Sequence, residues 1–504
     1  MRTWLVACVL TITAAAFGAN DSPTARRARV EALCPEIDRI FREYAAERHI
    51  PGVVHGIVLD GELIHPVAFG AADTTSKRAV TLATRFRVAS MSKSFTAMAI
   101  LRLRDAGKLA LADPVAKFLP EFARVKPLTT DAPEVRIEHL MTMLVGFPTD
   151  DPWGDRQLAM PVEQLKAFVA GGLSFSNTTG VAYEYSNTAY ALLGQIVTNV
   201  SGASYQAYIT RDILRPLGMK DTGYEIADVP AEQLALGYRW DDERWKAEPM
   251  LHDGTFGAMG GIITTLPDFA RYAAFHLAAW PPRDADDRGP VRRATVREMH
   301  LVHGPVRILP ESKEVDGTVI PATALGYGYG LISSRDARGL YFVRHSGGLP
   351  GFGSNYVFAP DVGVAVISFA NRTYSPMTAV NLRVLRLLTD EKGLGPRPVP
   401  VSAILERRKQ QVIALLRDWT SPAQDGMFAD NLLLDQSREQ RAAESRRLFA
   451  QAGAIKEIEP LVAENQMRGT FAFVCENGRV EVTLQLSPEA EPKIQTLALR
   501  LVGK

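Results

Sequence analysis

Cysteine is scarce: three residues in 504, at positions 8, 34 and 475. That excludes a disulfide framework, and Cys34 and Cys475 read as two core thiols. A charge imbalance is also missing, with 57 Lys plus Arg against 56 Asp plus Glu, so no net field favours nucleic acid or an anionic membrane as partner. Small-molecule substrates or uncharged polymers remain. After the first twenty residues no long apolar run occurs, which gives no expectation of a membrane span, and no fixed-period repeat suggests a solenoid. Several catalytic signatures are absent. There is no G-x-S-x-G elbow and no H-E-x-x-H, and His300 and His303 in "EMHLVHGPV" lack a third zinc ligand, so they read as surface histidines. "GAMGG" at 257–261 lacks the Lys-Ser/Thr of a phosphate loop and reads as a tight turn beside a cleft. No metal or organic cofactor is implied.

What is present begins with "MRTWLVACVLTITAAAFGAN": a basic residue, an apolar run and small residues, the layout of a secretory signal peptide over 1–19. A periplasmic or secreted protein is expected. Continuous globular text follows over 20–390. "EKGLGPRPVPVS", 391–402, reads as a linker because its three prolines and two glycines carry no apolar period. The segment 403–504 reads as a small α+β domain with two helices and about four antiparallel strands, Asn477–Gly478 marking a hairpin. Its pattern loosely resembles the nuclear-transport-factor-2-like domains, and no chemistry is assigned to it.

Chemistry concentrates elsewhere. "RVASMSKSFTAMAILRLRDAG" puts Ser90, Ser92, Ser94 and Lys93 at the start of an expected amphipathic helix, where Ser90 or Ser92 would serve as cap. Ser90 and Lys93 form the chain's only S-x-x-K, a spacing that brings an amine to a hydroxyl. Tyr185-x-Asn187, the only Y-x-N, precedes a helix with apolar Leu192, Leu193, Ile196 and Val200. Leu340–Arg344 reads as a strand with His345-Ser346-Gly347-Gly348 at its end, where glycine backbone is open to a ligand. The N–H groups of Gly348 and Ser90 are candidate donors to an oxyanion.

In that order these motifs, with "YSNTAYALLGQIV", "ILRPLGMKDTGY" and "HSGGLPGFGS", resemble the serine β-lactamase and penicillin-binding-protein superfamily, in its class C-like branch of esterases, D-aminopeptidases and related hydrolases. The resemblance spans roughly residues 35–371. It implies an α+β fold, an antiparallel sheet flanked by helices with a helical subdomain, and acyl transfer through Ser90. Lys93 and Tyr185 would share the proton work, and Asn187 would bind the substrate carbonyl or hold Lys93. His345, Gly347 and Gly348 would line the substrate site. Two departures stand out. His345 replaces the lysine usual before T-G, which favours an ester or D-amino-acid amide over a β-lactam or a D,D-peptide. "HLMTMLVGFPTDDPWGDRQL" replaces a His-Thr-Ser-Gly stretch, leaving the loop beside the site open. A non-catalytic binding or sensor protein on the same scaffold is the reading of another class. Oligomeric state is not legible.

Overall fold

The computed structural model describes residues 22–313, 317–390, 393–419 and 426–503. The expected signal peptide lies outside them. The described chain divides into a unit over Ser22–Pro396 and a second unit beginning at Arg397.

The first unit is built on a nine-stranded sheet. From one edge its order is Arg78–Ala79, Glu62–Asp73, Gly52–Leu59, Val364–Ala370, Phe352–Ala359, Tyr341–Leu349, Ile332–Asp336, Thr323–Tyr327 and Gly304–Leu309. Every neighbouring pair is antiparallel. Gly52–Leu59, from near the N-terminus, thus lies beside the last strand of the unit. It is buried throughout, as are Phe352–Ala359 and Val364–Ala370, because helices cover both faces. On one face lie the helices Pro23–Glu47 and Met377–Thr389, with Ile37, Phe41, Val380 and Val384 packed against Val53 and Val366. The other face carries the larger core, to which Lys93–Asp105, Asn187–Ser201 and Leu266–Ala278 contribute.

Three details differ from the sequence reading. Ala89–Ser92 is a 3₁₀ turn, and the α-helix starts at Lys93. Neither Ser90 nor Ser92 caps it, and the helix is not amphipathic, since Lys93–Leu101 is buried without interruption between sheet and neighbouring helices. His345–Gly348 lies inside the strand Tyr341–Leu349, because pairing with Phe352–Ala359 continues to Leu349↔Phe352. Only the opposite edge ends early, at Ile332↔Arg344. His300 is fully buried rather than at the surface: it shares one helix face with Val296 and Met299 and meets His276 at 2.8 Å.

The proline-rich stretch is divided between the units. Leu394 is buried in the first core, and Val399 bridges to Ala463 in the second. The second unit has helices Ala403–Arg417, Asp430–Asp435 and Arg438–Ala452 and a sheet in the order Ile455–Ile458, Arg468–Cys475, Gly478–Leu486, Ile494–Val502. Val462–Asn465 also pairs with Arg468–Cys475, which makes five strands where about four were expected. The extra strand arises because the run "KEIEPLVAE" breaks at Glu459–Leu461, around a proline that lacks the N–H to continue a ladder. Strict alternation of buried and half-buried residues along Gly478–Leu486 shows a sheet with one covered face. Cys34 and Cys475 are free thiols. No helix among the described residues is long and apolar enough to cross a membrane.

Candidate active site

The site forms where the 3₁₀ turn, the start of the Asn187 helix, the short helix Gly257–Gly260 and the His345 strand converge. Lys93 anchors it. Its Nζ donates to Ser90 Oγ (2.8 Å), Asn187 Oδ1 (2.6 Å) and the Met259 carbonyl (3.1 Å), and lies 4.8 Å from the centre of the Tyr185 ring. The side chain is fully buried, and the loss of solvent pulls its pKa down to about 8 against the opposing charges of Asp151, Asp155 and Asp150. An ordinary lysine is almost wholly charged near neutrality; here a usable fraction is a neutral base.

Tyr185 is half-buried, and the Ser90 side chain is among the groups that favour its ionised form. Burial and the negative charge of Asp151 hold its phenol well above the ordinary tyrosine range. It is therefore a neutral relay, and Lys93 is the stronger candidate to take the Ser90 proton.

Asn187 is held on every side. Its Nδ2 donates to Asp151 Oδ1, while the Asp150 carboxylate accepts from the Asn187 N–H (2.6 Å), the Thr188 N–H (2.8 Å) and the Thr188 hydroxyl (2.7 Å). A carboxylate on the first free N–H groups suits a helix N-terminus, and Ser186, the N-cap, accepts from Ala189 N–H (3.2 Å). Gly154 lies against Asn187 so closely that a Cβ there would come within 2.7 Å of the asparagine Cβ.

His345 is buried with its Nδ1 2.6 Å from the Ser346 carbonyl and its Nε2 3.3 Å from the Tyr327 hydroxyl. A carbonyl only accepts, so Nδ1 carries the proton and Nε2 accepts from Tyr327. Burial, with the Lys93 charge, pushes its pKa down to about 3, so the imidazole is neutral. The position offers no fixed positive charge.

Gly347 lies directly on the nucleophile turn: a Cβ would come within 2.1 Å of the Val88 carbonyl and 3.0 Å of the Ala89 Cβ. Ser354 Oγ ties the sheet to the same Val88 carbonyl at 2.8 Å. Ala89 takes a left-handed φ of 49°, a conformation costing a non-glycine residue about 1 kcal/mol, immediately before Ser90. Gly348 follows on the strand edge left free beyond Arg344. The structure thus gathers Ser90, Lys93, Tyr185, Asn187 and His345 at one site, with Gly347 and Gly348 along its sheet side.

Sequence reasoning missed Asp151, Asp155 and the Met259 carbonyl. "GAMGG" forms a one-turn helix, rather than the expected tight turn, that aims this carbonyl at Lys93. The "DDPWGD" run was the available signal for the two acids, but only the fold shows that they face Lys93.

Similarity to known proteins identifies the family and the fold. A family model described as Beta-lactamase matches residues 37–391, and the chain belongs to that family. Esterase EstB of Burkholderia gladioli is 27% identical over 398 residues, covering 71% of this chain and 96% of that one. Protein flp of Staphylococcus aureus (strain COL) is 26% identical over 355 residues, 69% of this chain; the match spans only 65% of flp. Among solved structures, an octameric penicillin-binding protein homologue from Pyrococcus abyssi superposes with a TM-score of 0.60 at 22% identity, over 93% of this chain and 96% of that one. A class C β-lactamase gives 0.56 at 20% identity, over 71% of this chain and 97% of that one. The fold is that of the β-lactamases and penicillin-binding proteins, and the family's members are serine hydrolases.

Proposed function

We propose that this protein is an exported serine hydrolase that forms an acyl-enzyme on Ser90 and cleaves esters or D-amino-acid amides or peptides. The observation that carries the reading is the Lys93 amine, 2.8 Å from Ser90 Oγ with a pKa drawn down to about 8. Ser90 Oγ attacks the substrate carbonyl carbon as its proton passes to Lys93 Nζ. The N–H groups of Ser90 and Gly348 receive the developing oxyanion. The proton then returns through Tyr185 to the leaving oxygen or nitrogen as the carbonyl–leaving-group bond breaks. In the second half, water gives a proton to the same base and attacks the acyl carbon, and that proton passes to Ser90 Oγ as its bond to the acyl carbon breaks, which releases the acid and restores Ser90. The neutral His345 supports a substrate that presents no carboxylate at that position. The relative named as an esterase, matched along nearly its whole length, points the same way. Export rests on the composition of the first nineteen residues.

The test is a panel of short-chain p-nitrophenyl esters, D-amino-acid p-nitroanilides and nitrocefin, given to the full chain and to Ser90→Ala. Ester or anilide turnover that vanishes in the variant is expected. Nitrocefin turnover rivalling the ester would replace the reading with a penicillin-recognising activity. Equal rates from both proteins would leave only a binding or sensor role.

A further inference from the structure

One loop and one turn outside the motifs meet across the cleft. The loop runs from Asp150 to Gln157. Asp150 is committed to the N-terminus of the Asn187 helix, Asp151 to Asn187 Nδ2, and Gly154 packs on Asn187 itself. Asp155 has none of these duties. Its side chain is buried, at 2% exposure, and Oδ2 accepts a 2.9 Å hydrogen bond from the Tyr374 hydroxyl while Oδ1 has no partner. Tyr374 belongs to the turn that follows the strand Val364–Ala370, far away in sequence. It holds a left-handed φ of 51°, unfavourable for a bulky residue, and its ring lies on Gly348, where a Cβ would come within 2.8 Å of the tyrosine Cδ1. A strained aromatic residue, 41% exposed yet laid against a candidate oxyanion donor and tied to an otherwise uncommitted buried carboxylate, calls for a reason.

We propose that Asp155 and Tyr374 are a positioning pair, which sets the width of the cleft by tying the loop that holds Asn187 to the turn that backs Gly348. The inference rests on reading Ser90 as the acylated residue. The tie is a direct bond between the loop that packs on Asn187 and the turn whose tyrosine lies on Gly348. With it, the two faces that must grip one carbonyl keep a fixed spacing. Asp155 has a second effect, through charge. It faces Lys93, with Asp150 and Asp151 on its own loop and Tyr374 opposite, and Lys93 in turn faces Asn187, Tyr185, Tyr190 and His345. An ionised Asp155 stabilises the Lys93 ammonium, so removing that charge makes Lys93 easier to deprotonate.

The test uses the full chain with Asp155→Asn, Tyr374→Phe and the double variant. Each single change is expected to lower kcat on p-nitrophenyl acetate by about tenfold, and the double variant to fall no further, because both remove one tie. Asp155→Asn should also shift the acid limb of kcat/KM downward by about half a pH unit or more, and Tyr374→Phe, which takes away the donor that favours the charged Asp155, should shift it in the same direction by less. A merely structural role would lower activity without moving the limb. Multiplying losses in the double variant, a Tyr374→Phe protein within twofold of wild type, or an unmoved limb in Asp155→Asn would each overturn the proposal. If the wild type hydrolyses nothing, the acyl-transfer reading fails on its own, and the tie is then read from thermal midpoints. Equal drops for both single variants and the double would uphold it as a tie, and additive drops would overturn it.

Discussion

The two units spend burial differently. The unit over Ser22–Pro396 places an amine, an imidazole and a carboxylate inside its core and keeps them there with pKa values moved to about 8, 3 and 7. The unit from Arg397 buries chiefly apolar side chains, among them Val412, Phe471, Phe473, Val480 and Val482, and its buried charged side chains among the described residues are Arg408 and Lys409. Its buried Arg408 directs its guanidinium to the Pro492 carbonyl and the Gln411 side chain. Desolvating ionisable groups destabilises a fold, so a region that gathers several of them at one place is specialised for chemistry.

The largest expected contrast comes from one substitution in each region. Ser90→Ala should cut ester kcat/KM by about 10⁴-fold or more with little change in thermal midpoint. Phe473→Ala should cost about 3–5 kcal/mol in unfolding of the second unit yet leave kcat/KM within about twofold. Activity loss in the second variant comparable with the first would break the comparison. Next, Lys93→Met should lower kcat by about 10²–10⁴-fold, because only the neutral amine can accept the Ser90 proton. In the wild type, kcat/KM should therefore rise about tenfold per pH unit and level off above pH 8, measured with a neutral ester. Gly347→Ala, which drives a methyl into the Val88 carbonyl, should cost about 10²-fold in kcat by moving the nucleophile turn.

The smallest effect concerns stability in acid. All nine histidines precede Pro396, and burial draws His55, His276 and His345 down to about 3. Between the unfolded value near 6.5 and that lower value, the unfolded chain binds protons that the folded one refuses. Each of the three imidazoles therefore lowers stability by about 1.4 kcal/mol per pH unit on acidification, while Asp155 and Asp253, raised to about 7 by burial, take up protons in the folded state over much of the same range and offset two of them, so these five groups leave a net loss of about 1.4 kcal/mol per pH unit. Denaturant melts from pH 7 to pH 4 should show the first unit losing more than the second. A parallel loss in both would remove histidine burial as the cause.

Motif residues were legible in the sequence because a nucleophile, its amine and a phenol leave side-chain signatures at short fixed spacings. The helix over Ala403–Arg417 and the strands after Arg468 were legible through their periods. What escaped depended on contacts between distant residues. Asp155 and Tyr374 are 219 positions apart, and no local pattern pairs them. A backbone carbonyl such as that of Met259 has no signature at all. His300 reads as a surface histidine once a zinc site is ruled out, yet the spacing of Val296, Met299 and His300 on one helix face is a readable sign of burial.

Hydroxyls recur at every second residue through the start of the nucleophile helix. Ser92 joins the Ala89 carbonyl to the Ile262 N–H, Ser94 receives the Tyr272 and Tyr356 hydroxyls, and Thr96 meets Tyr205 and the Ala258 carbonyl. Greasy surfaces resist being pulled apart but tolerate sliding, whereas directional bonds on several sides of a rod forbid both axial slip and rotation. The rod that bears Ser90 is pinned like a shaft keyed to its housing, so any adjustment to an arriving substrate falls to the surrounding loops.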